Sequence, residues 1–174
     1  MLDQLRRIVF LRNMNEVETI YASIPGGPNL LEWFGHVPNF HGAEIVSFSL
    51  HRRAPSVLSI HAWNTTREVN NRGYRILDKH AVVTFALEDV MDLQLKGFNH
   101  QNVISGLHLR RAPERPDRRP FYGLDPSPKD YEIELERCLG LDGIIRCRRV
   151  LVDFVPGKPD DTRGWSRATR RVSE

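Results

Sequence analysis

The first part of the chain has apolar residues at helical spacing. Between residues 17 and 24 they recur at intervals of three and four, and Asn15 with Glu18 has the spacing of a helix-capping box. This pattern predicts a short helix. Residues 1–14 fit either the first turns of that helix or an N-terminal extension, so residues 1–24 are assigned to an extension or short helix.

A second short helix is predicted before residue 35. Asn29 and Glu32 repeat the capping spacing, the residues that follow are largely apolar, and Gly35 is a natural stop. The segment Pro25-Gly26-Gly27-Pro28 predicts a loop between the two helices, because both residue types favour turns.

The apolar period changes to two from Ala43 onward. Val46, Phe48 and Leu50 alternate with polar residues, which predicts a half-buried strand with these three side chains on one face. Similar segments follow at short intervals, and together they predict seven strands, over residues 46–50, 57–64, 76–87, 91–96, 103–110, 131–138 and 144–155. The expected fold class is therefore mainly β (α+β), an antiparallel sheet of about seven strands with one or two short N-terminal helices.

Two segments near the end of the sheet have special features. Residues 111–129 contain five of the eleven prolines, which predicts an irregular connection. If Asp142-Gly143 forms a two-residue hairpin loop, Cys138 lies opposite Cys147. Two reduced cysteines packed together are favoured over a disulfide, because two cysteines in a chain of this length do not make a disulfide scaffold.

Length and charge suggest one domain and do not favour nucleic acid. The 174 residues are enough for one domain with a hydrophobic core, which is assigned to residues 25–157. Residues 158–174 are predicted to form a flexible basic tail. The net charge is +3, but residues 30–109 carry seven Lys/Arg and seven Asp/Glu. The positive excess lies in 110–129 and in the tail, so no nucleic-acid partner is expected. No apolar run suits a membrane span or a signal peptide, which predicts a cytoplasmic protein without a membrane partner.

No catalytic motif is found. GxSxG, SxxK, Walker and GxGxxG patterns are missing from the sequence, and Glu88, Asp89 and Asp92 are expected to be solvated at a turn between the third and fourth strands. His36, His41 and Glu44 are candidate metal ligands, but the sequence contains no HxH, HExxH or CxxC pattern. The expectation is a protein that is not an enzyme and that needs no metal or cofactor.

Two loops combine large rings with hydrogen-bonding side chains, at residues 33–41 and 97–102. They could form a recognition surface, since aromatic anchors with polar neighbours suit protein contacts, or they could only cap the core and satisfy loop backbone. The candidate binding residues are His41, Glu44, Trp63, Asn99, His100, Gln101 and Asn102.

Several short motifs, in order over about residues 30–155, resemble the immunity protein 50 family of bacterial polymorphic toxin systems. They are Trp33-Phe34-Gly35, Val37-Pro38-Asn39-Phe40-His41-Gly42-Ala43-Glu44-Ile45, His80-Ala81-Val82-Val83-Thr84-Phe85, Gly97-Phe98-Asn99-His100-Gln101-Asn102-Val103-Ile104, the strand from Tyr131 to Leu135, and Gly140-Leu141-Asp142-Gly143-Ile144-Ile145-Arg146-Cys147. Gly42 departs from the family pattern, which more often has Asp after the His.

The resemblance implies a small immunity protein that binds and blocks a cognate toxin domain in the producing cell. Because the chain is not acidic, a basic nuclease is not the obvious target, and the Arg-rich 110–119 segment could contact an acidic toxin or be solvated. Two alternatives remain open. One is a small-ligand or regulatory domain with a pocket among His41, Trp63 and the Asn99–Asn102 loop, and the other is a metal-assisted hydrolase around His36, His41 and Glu44.

Overall fold

A computed structural model of the protein describes residues 17–159. Helix α1 covers 17–23 of the described chain, and helix α2 is Gly27–Phe34. The predicted cap at Asn15 lies outside the described residues, as do the N-terminal residues 1–16 and most of the predicted tail, 160–174. No helix of the described chain is both long enough and apolar enough to cross a membrane.

The second helix begins earlier than predicted. Gly26 is its cap residue, with a left-handed φ of 80°, and Pro28 occupies the first turn, where its missing N–H costs no hydrogen bond. Only glycine fits at position 26, because an added Cβ would lie 1.7 Å from the Val152 carbonyl oxygen. The predicted loop over 25–28 is therefore wrong in its second half.

Six strands form one antiparallel sheet that closes into a barrel in the order β1-β2-β3-β6-β5-β4. The mainly β fold is confirmed. The strands are β1 (Glu44–Ser49), β2 (Ser56–Val69), β3 (Arg75–Lys96), β4 (Val103–Arg111), β5 (Tyr131–Leu139) and β6 (Asp142–Pro156), with a short 3₁₀ turn at Arg119–Phe121.

The predicted third and fourth strands are one long strand, β3. The carboxylates at 88–92 suggested a turn, but the chain makes a bulge there, with the register against β6 shifting between Val90 and Asp92 and a positive φ of 52° at Asp89. β3 therefore continues to Lys96.

One core fills the barrel. Its strand residues come from alternate positions, for example Leu58, Ile60 and Ala62 of β2. Side chains of the helical segment join it, namely Ile20 and Tyr21 of α1, Ile24 between the helices, and Leu30 and Phe34 of α2. The predicted buried face of the first strand is right for Phe48, which packs against the core together with Ile45, and wrong for Val46 and Leu50, which are exposed. A register shift between Ile45 and Ser47 exchanges the inward and outward positions, which alternation alone could not indicate.

The predicted hairpin at Asp142-Gly143 is also wrong. Both residues are in β6 and pair with Lys96 and Leu95 of β3. The β5–β6 pairing puts Tyr131, and not Cys138, opposite Cys147. Cys138 is exposed and Cys147 is buried, so the two cysteines do not pack together.

Candidate functional site

A polar cleft of about 470 Å³ lies between the 36–41 loop and the outer face of β2. It brings together His41 and Trp63, two of the predicted binding residues. The lining residues are His36, Asn39, His41, Trp63, Asn64, Thr65 and Arg75.

A local turn holds His41 in this cleft. Phe40 has a positive φ of 56° and its ring is buried in the core. The next residue, His41, donates its backbone N–H to the Asn39 side-chain oxygen at 3.0 Å, and its Nδ1 lies 3.0 Å from the Ser105 carbonyl oxygen. The imidazole is therefore fixed against β4.

Glu44 is not part of this cleft. Its carboxylate lies 3.7 Å from Nδ1 of His61, and Nε2 of His61 lies 3.1 Å from Nδ1 of His80, so the two imidazoles share one hydrogen bond. The ring of Trp63 lies 5.0 Å from that of His61, centroid to centroid. His61 and His80 were not singled out from the sequence, because they meet only when β2 pairs with β3.

The His80 pKa is lowered. Burial disfavours the imidazolium, the positive charges of Lys158 and His61 lower the pKa further, and Asp78 opposes them. Over residues 17–159 no group of three or more His, Cys, Asp or Glu side chains is arranged to hold a metal ion. The metal-assisted alternative also required Glu44 beside His36 and His41, but Glu44 is directed at His61 instead.

The loop 97–102 is held together by two asparagines. The Asn102 side-chain oxygen accepts hydrogen bonds from the backbone N–H of Asn99 and of Leu141, at 2.9 and 3.2 Å. The Asn99 side-chain oxygen accepts from the N–H groups of Gln101 and Asn102, and the Asn102 amide donates to the Asn99 carbonyl. These two side chains therefore form hydrogen bonds with backbone groups of their own loop, which is the alternative to a role in recognition that the sequence left open.

This rigid loop presents an aromatic ring to solvent. Phe98 is 76% exposed, and His100 and Gln101 are exposed beside it. A groove of about 750 Å³ runs between this loop and β1, and its apolar lining is Ile45, Val46, Phe48, Leu95, Phe98 and Leu141.

Five of the seven predicted site residues are thus divided between two cavities, and Glu44 and Gln101 line neither of them. No residue lines both the cleft at His41 and Trp63 and the groove at Asn99 and Asn102. The single pocket of the small-ligand alternative, among His41, Trp63 and the Asn99–Asn102 loop, is therefore not formed in the described chain.

Asp92, which was expected to be solvated, belongs instead to a buried ion-pair network with arginines of the 110–119 segment. Of the other two carboxylates at the predicted turn, Glu88 pairs with the exposed Arg149 and Asp89 is exposed. Residues 112–130, here called the strap, lie over the outer face of β5, β6 and β3. Arg118 of the strap contacts the carboxylate of Asp92 at 2.5 Å. Arg115 of the strap and Arg110 of β4 both contact the carboxylate of Glu132, which is fully buried. The strap's last residue, Asp130, contacts Arg146 and Arg148 at 2.9 Å.

These ion pairs hold the strap in a defined position although it has almost no regular secondary structure. In the sheet register, Asp92, Arg146, Glu132 and Arg110 are direct neighbours across four strands, with alternating charge. Burial raises the pKa of Glu132, but hydrogen bonds from Arg115 and Arg110 outweigh it, and the net pKa is lowered. The network holds the carboxylate in its charged form and holds the strap on the barrel.

Comparisons with known proteins give no relative of this chain: no protein-family model, no curated protein and no solved structure matches it.

Proposed function

We propose that the protein is an immunity protein that binds a cognate toxin domain of a bacterial polymorphic toxin system in the cytoplasm and neutralises it without chemistry of its own. The sequence motifs that resemble the immunity protein 50 family suggest this function. The observation that carries it in the structure is the ring of Phe98, exposed on a rigid loop beside an apolar groove.

The physical reason is preorganisation. Interface anchors are enriched in large aromatic side chains that fit into desolvated surroundings. If the loop were flexible, ordering it on binding would cost much of the binding free energy that the ring contributes. The Asn99 and Asn102 hydrogen bonds already order this loop in the free protein. The groove between the loop and β1 adds apolar surface next to the ring.

Co-expression tests the proposal. The chain is produced together with the C-terminal domain encoded by the adjacent gene, and growth rescue and co-purification as a stoichiometric complex are measured. Failure of the wild-type chain in both assays would contradict the proposed function for that pair.

A matched pair of variants tests the role of the groove. Phe98→Ser is expected to weaken the complex by about 30-fold, which corresponds to about 2 kcal/mol for a central aromatic anchor. Phe121→Ser is the control, because Phe121 lies on the strap and is similarly exposed, at 67%. It should change affinity by less than about threefold. Thermal unfolding of Phe98→Ser should match the wild type because that ring is outside the core, and Phe121→Ser should cost at most about 1 kcal/mol, because the Phe121 ring lies 4.7 Å from the Arg118 guanidinium. Equal effects of the two substitutions would show that the groove is not the contact surface.

A further inference from the structure

The hairpin of β2 and β3 extends beyond the barrel. β2 pairs with β3 as far as Val69 opposite Arg75, but β1 pairs with β2 only as far as His61, and β6 pairs with β3 only from Ala81. Residues 64–79, here called the β-arm, therefore form a two-stranded ribbon, and no third strand of the described chain joins it.

The base and the tip of the β-arm are both held by hydrogen bonds. At the base, the Asn64 side-chain amide donates to the Phe34 carbonyl and the Trp33 indole donates to the Lys79 carbonyl. At the tip, the Asn70 side-chain oxygen accepts from the backbone N–H groups of Arg72 and Tyr74. The β-arm is an ordered projection whose direction is set by α2.

Large apolar side chains on the β-arm are exposed. Tyr74 at the tip is 70% exposed, and Val69, Ile76 and Leu77 are exposed along the two strands. A two-stranded ribbon by itself is marginally stable, and contiguous exposed apolar side chains mark interaction surfaces more often than isolated ones do.

The β-arm also carries cations that are not neutralised. Its cations are Arg67, Arg72, Arg75 and Lys79, against the two carboxylates of Glu68 and Asp78. No ion pair within residues 17–159 involves any of these four cations, whereas Arg110, Arg115 and Arg118 beside the strap each contact a buried carboxylate. The β-arm therefore has four cations that form no ion pair in the described chain and a net charge of +2, whereas in the 110–119 segment only Arg111 and Arg119 form none.

We infer that the β-arm is a second docking surface for the toxin domain and that it binds an acidic face of that protein; this inference rests on the proposed function. Tyr74 supplies an apolar anchor at the tip. Arg75 follows the tip directly and also lines the polar cleft with His36 and His41, which suits a carboxylate side chain of the partner. Exposed aromatic and aliphatic side chains among the cations favour a protein partner over a nucleic acid, whose backbone is bound mainly by charge.

The test measures binding kinetics of the purified chain and the toxin domain encoded next to it. Arg72→Gln/Arg75→Gln is expected to slow association about tenfold and to reduce its dependence on salt, because exposed interface charges act mainly on the association rate. Arg52→Gln/Arg53→Gln removes the same charge from the exposed turn between β1 and β2 and should change the rate less than about twofold. Tyr74→Ser should speed dissociation by about tenfold or more.

The outcomes separate the two proposals. If the wild-type chain forms no complex, both the proposed function and this inference fail. If the complex forms and the β-arm variants behave like the Arg52→Gln/Arg53→Gln control, the proposed function stands and the inference is overturned.

Two probes test the chemistry of the β-arm without the toxin. A deca-glutamate peptide should bind the wild-type chain at low salt and should bind the Arg72→Gln/Arg75→Gln variant more weakly. Binding of a duplex DNA of twenty base pairs that is tighter than peptide binding and equally dependent on the β-arm would overturn the assignment to a protein partner.

Discussion

The substitution Glu132→Gln tests the ion-pair network that holds the strap on the barrel. The Glu132 carboxylate is buried, and its two oxygens accept four hydrogen bonds from Arg110 and Arg115, with N···O distances of 2.7 to 3.1 Å. Glutamine keeps the shape of the side chain but removes the charge, and it places an amide N–H₂ against guanidinium donors that it cannot pair with.

The expected loss of stability follows from the burial of the three side chains. Removal of one partner from a buried ion pair costs about 3–5 kcal/mol. The side chains of Arg110 and Arg115 are 39% and 29% exposed, so both can turn partly toward water when the carboxylate is gone. The lower end, about 3 kcal/mol, is therefore expected, which corresponds to a decrease of about 6–12 °C in Tm for a domain of this size.

The matched control is Glu134→Gln. Glu134 lies two residues further along β5 and contacts the same Arg110 at 2.7 Å, but its side chain is 34% exposed. An exposed pair contributes at most about 1 kcal/mol, so this variant should remain close to the wild type.

Urea unfolding followed by tryptophan fluorescence measures both free energies of unfolding, and limited proteolysis within 112–130 reports on the strap itself. Glu132→Gln should also make the strap more sensitive to protease than Glu134→Gln does. If the two variants lose equal stability, burial of the Glu132 pairs is not what holds the strap.

Three further outcomes are expected from buried groups. Tyr21→Phe should raise the free energy of unfolding by about 1 kcal/mol, because the buried Tyr21 hydroxyl has no hydrogen-bond partner in the described chain; lower stability in a urea titration would contradict this. Cys138 should react with an alkylating reagent in the folded protein, whereas Cys147, whose pKa burial raises to about 12, should react only on unfolding, as mass spectrometry can measure. Burial raises the pKa of Asp92, but the hydrogen bond and charge of Arg118 outweigh it and lower the pKa overall. Asp92 should therefore contribute stability above its unfolded pKa of about 4 and lose that contribution as the pH falls below it, and the stability of Asp92→Asn should vary less with pH in that range.

The prediction of β structure from the sequence succeeded where neighbouring residues decide the outcome. The first part of β2 alternates and follows turn residues, so residues 57–64 could be assigned to a strand without knowledge of its partners, whereas the polar continuation to Val69 was missed. Gly35 likewise indicated the end of α2, because a helix often ends at a residue with left-handed backbone angles. The predicted capping spacing did not give its start, since the cap is Gly26 and Asn29 lies inside the helix. Helix and strand content depend mainly on such short-range patterns.

The predictions that failed depended on which strands pair. The bulges in β3 and in β1 each depend on how two strands pair, so neither can be predicted from one strand alone. For this reason the turn predicted at 88–92 and the predicted inward position of Val46 are both wrong. Asp142-Gly143 has the composition of a hairpin loop, but Gly143 is needed because an added Cβ would lie 1.8 Å from the Gln94 carbonyl oxygen of the neighbouring strand β3. A local rule cannot represent a contact with a strand about fifty residues away.

The candidate site shows the same division. The sequence by itself determined that residues 33–41 and 97–102 are aromatic-polar loops, and the structure places both beside cavities. Only the tertiary structure separated Asn99 and Asn102, which hold their loop, from Phe98, which the loop presents to solvent. Charge counts along the chain were balanced over 30–109, and only the fold showed that Arg110, Arg115 and Arg118 are paired with carboxylates and that the arginines of the β-arm form no ion pair in the described chain. The physical reason is that composition counts charges, whereas their effect depends on the distance to an opposite charge and on access to water, and both are properties of the folded chain.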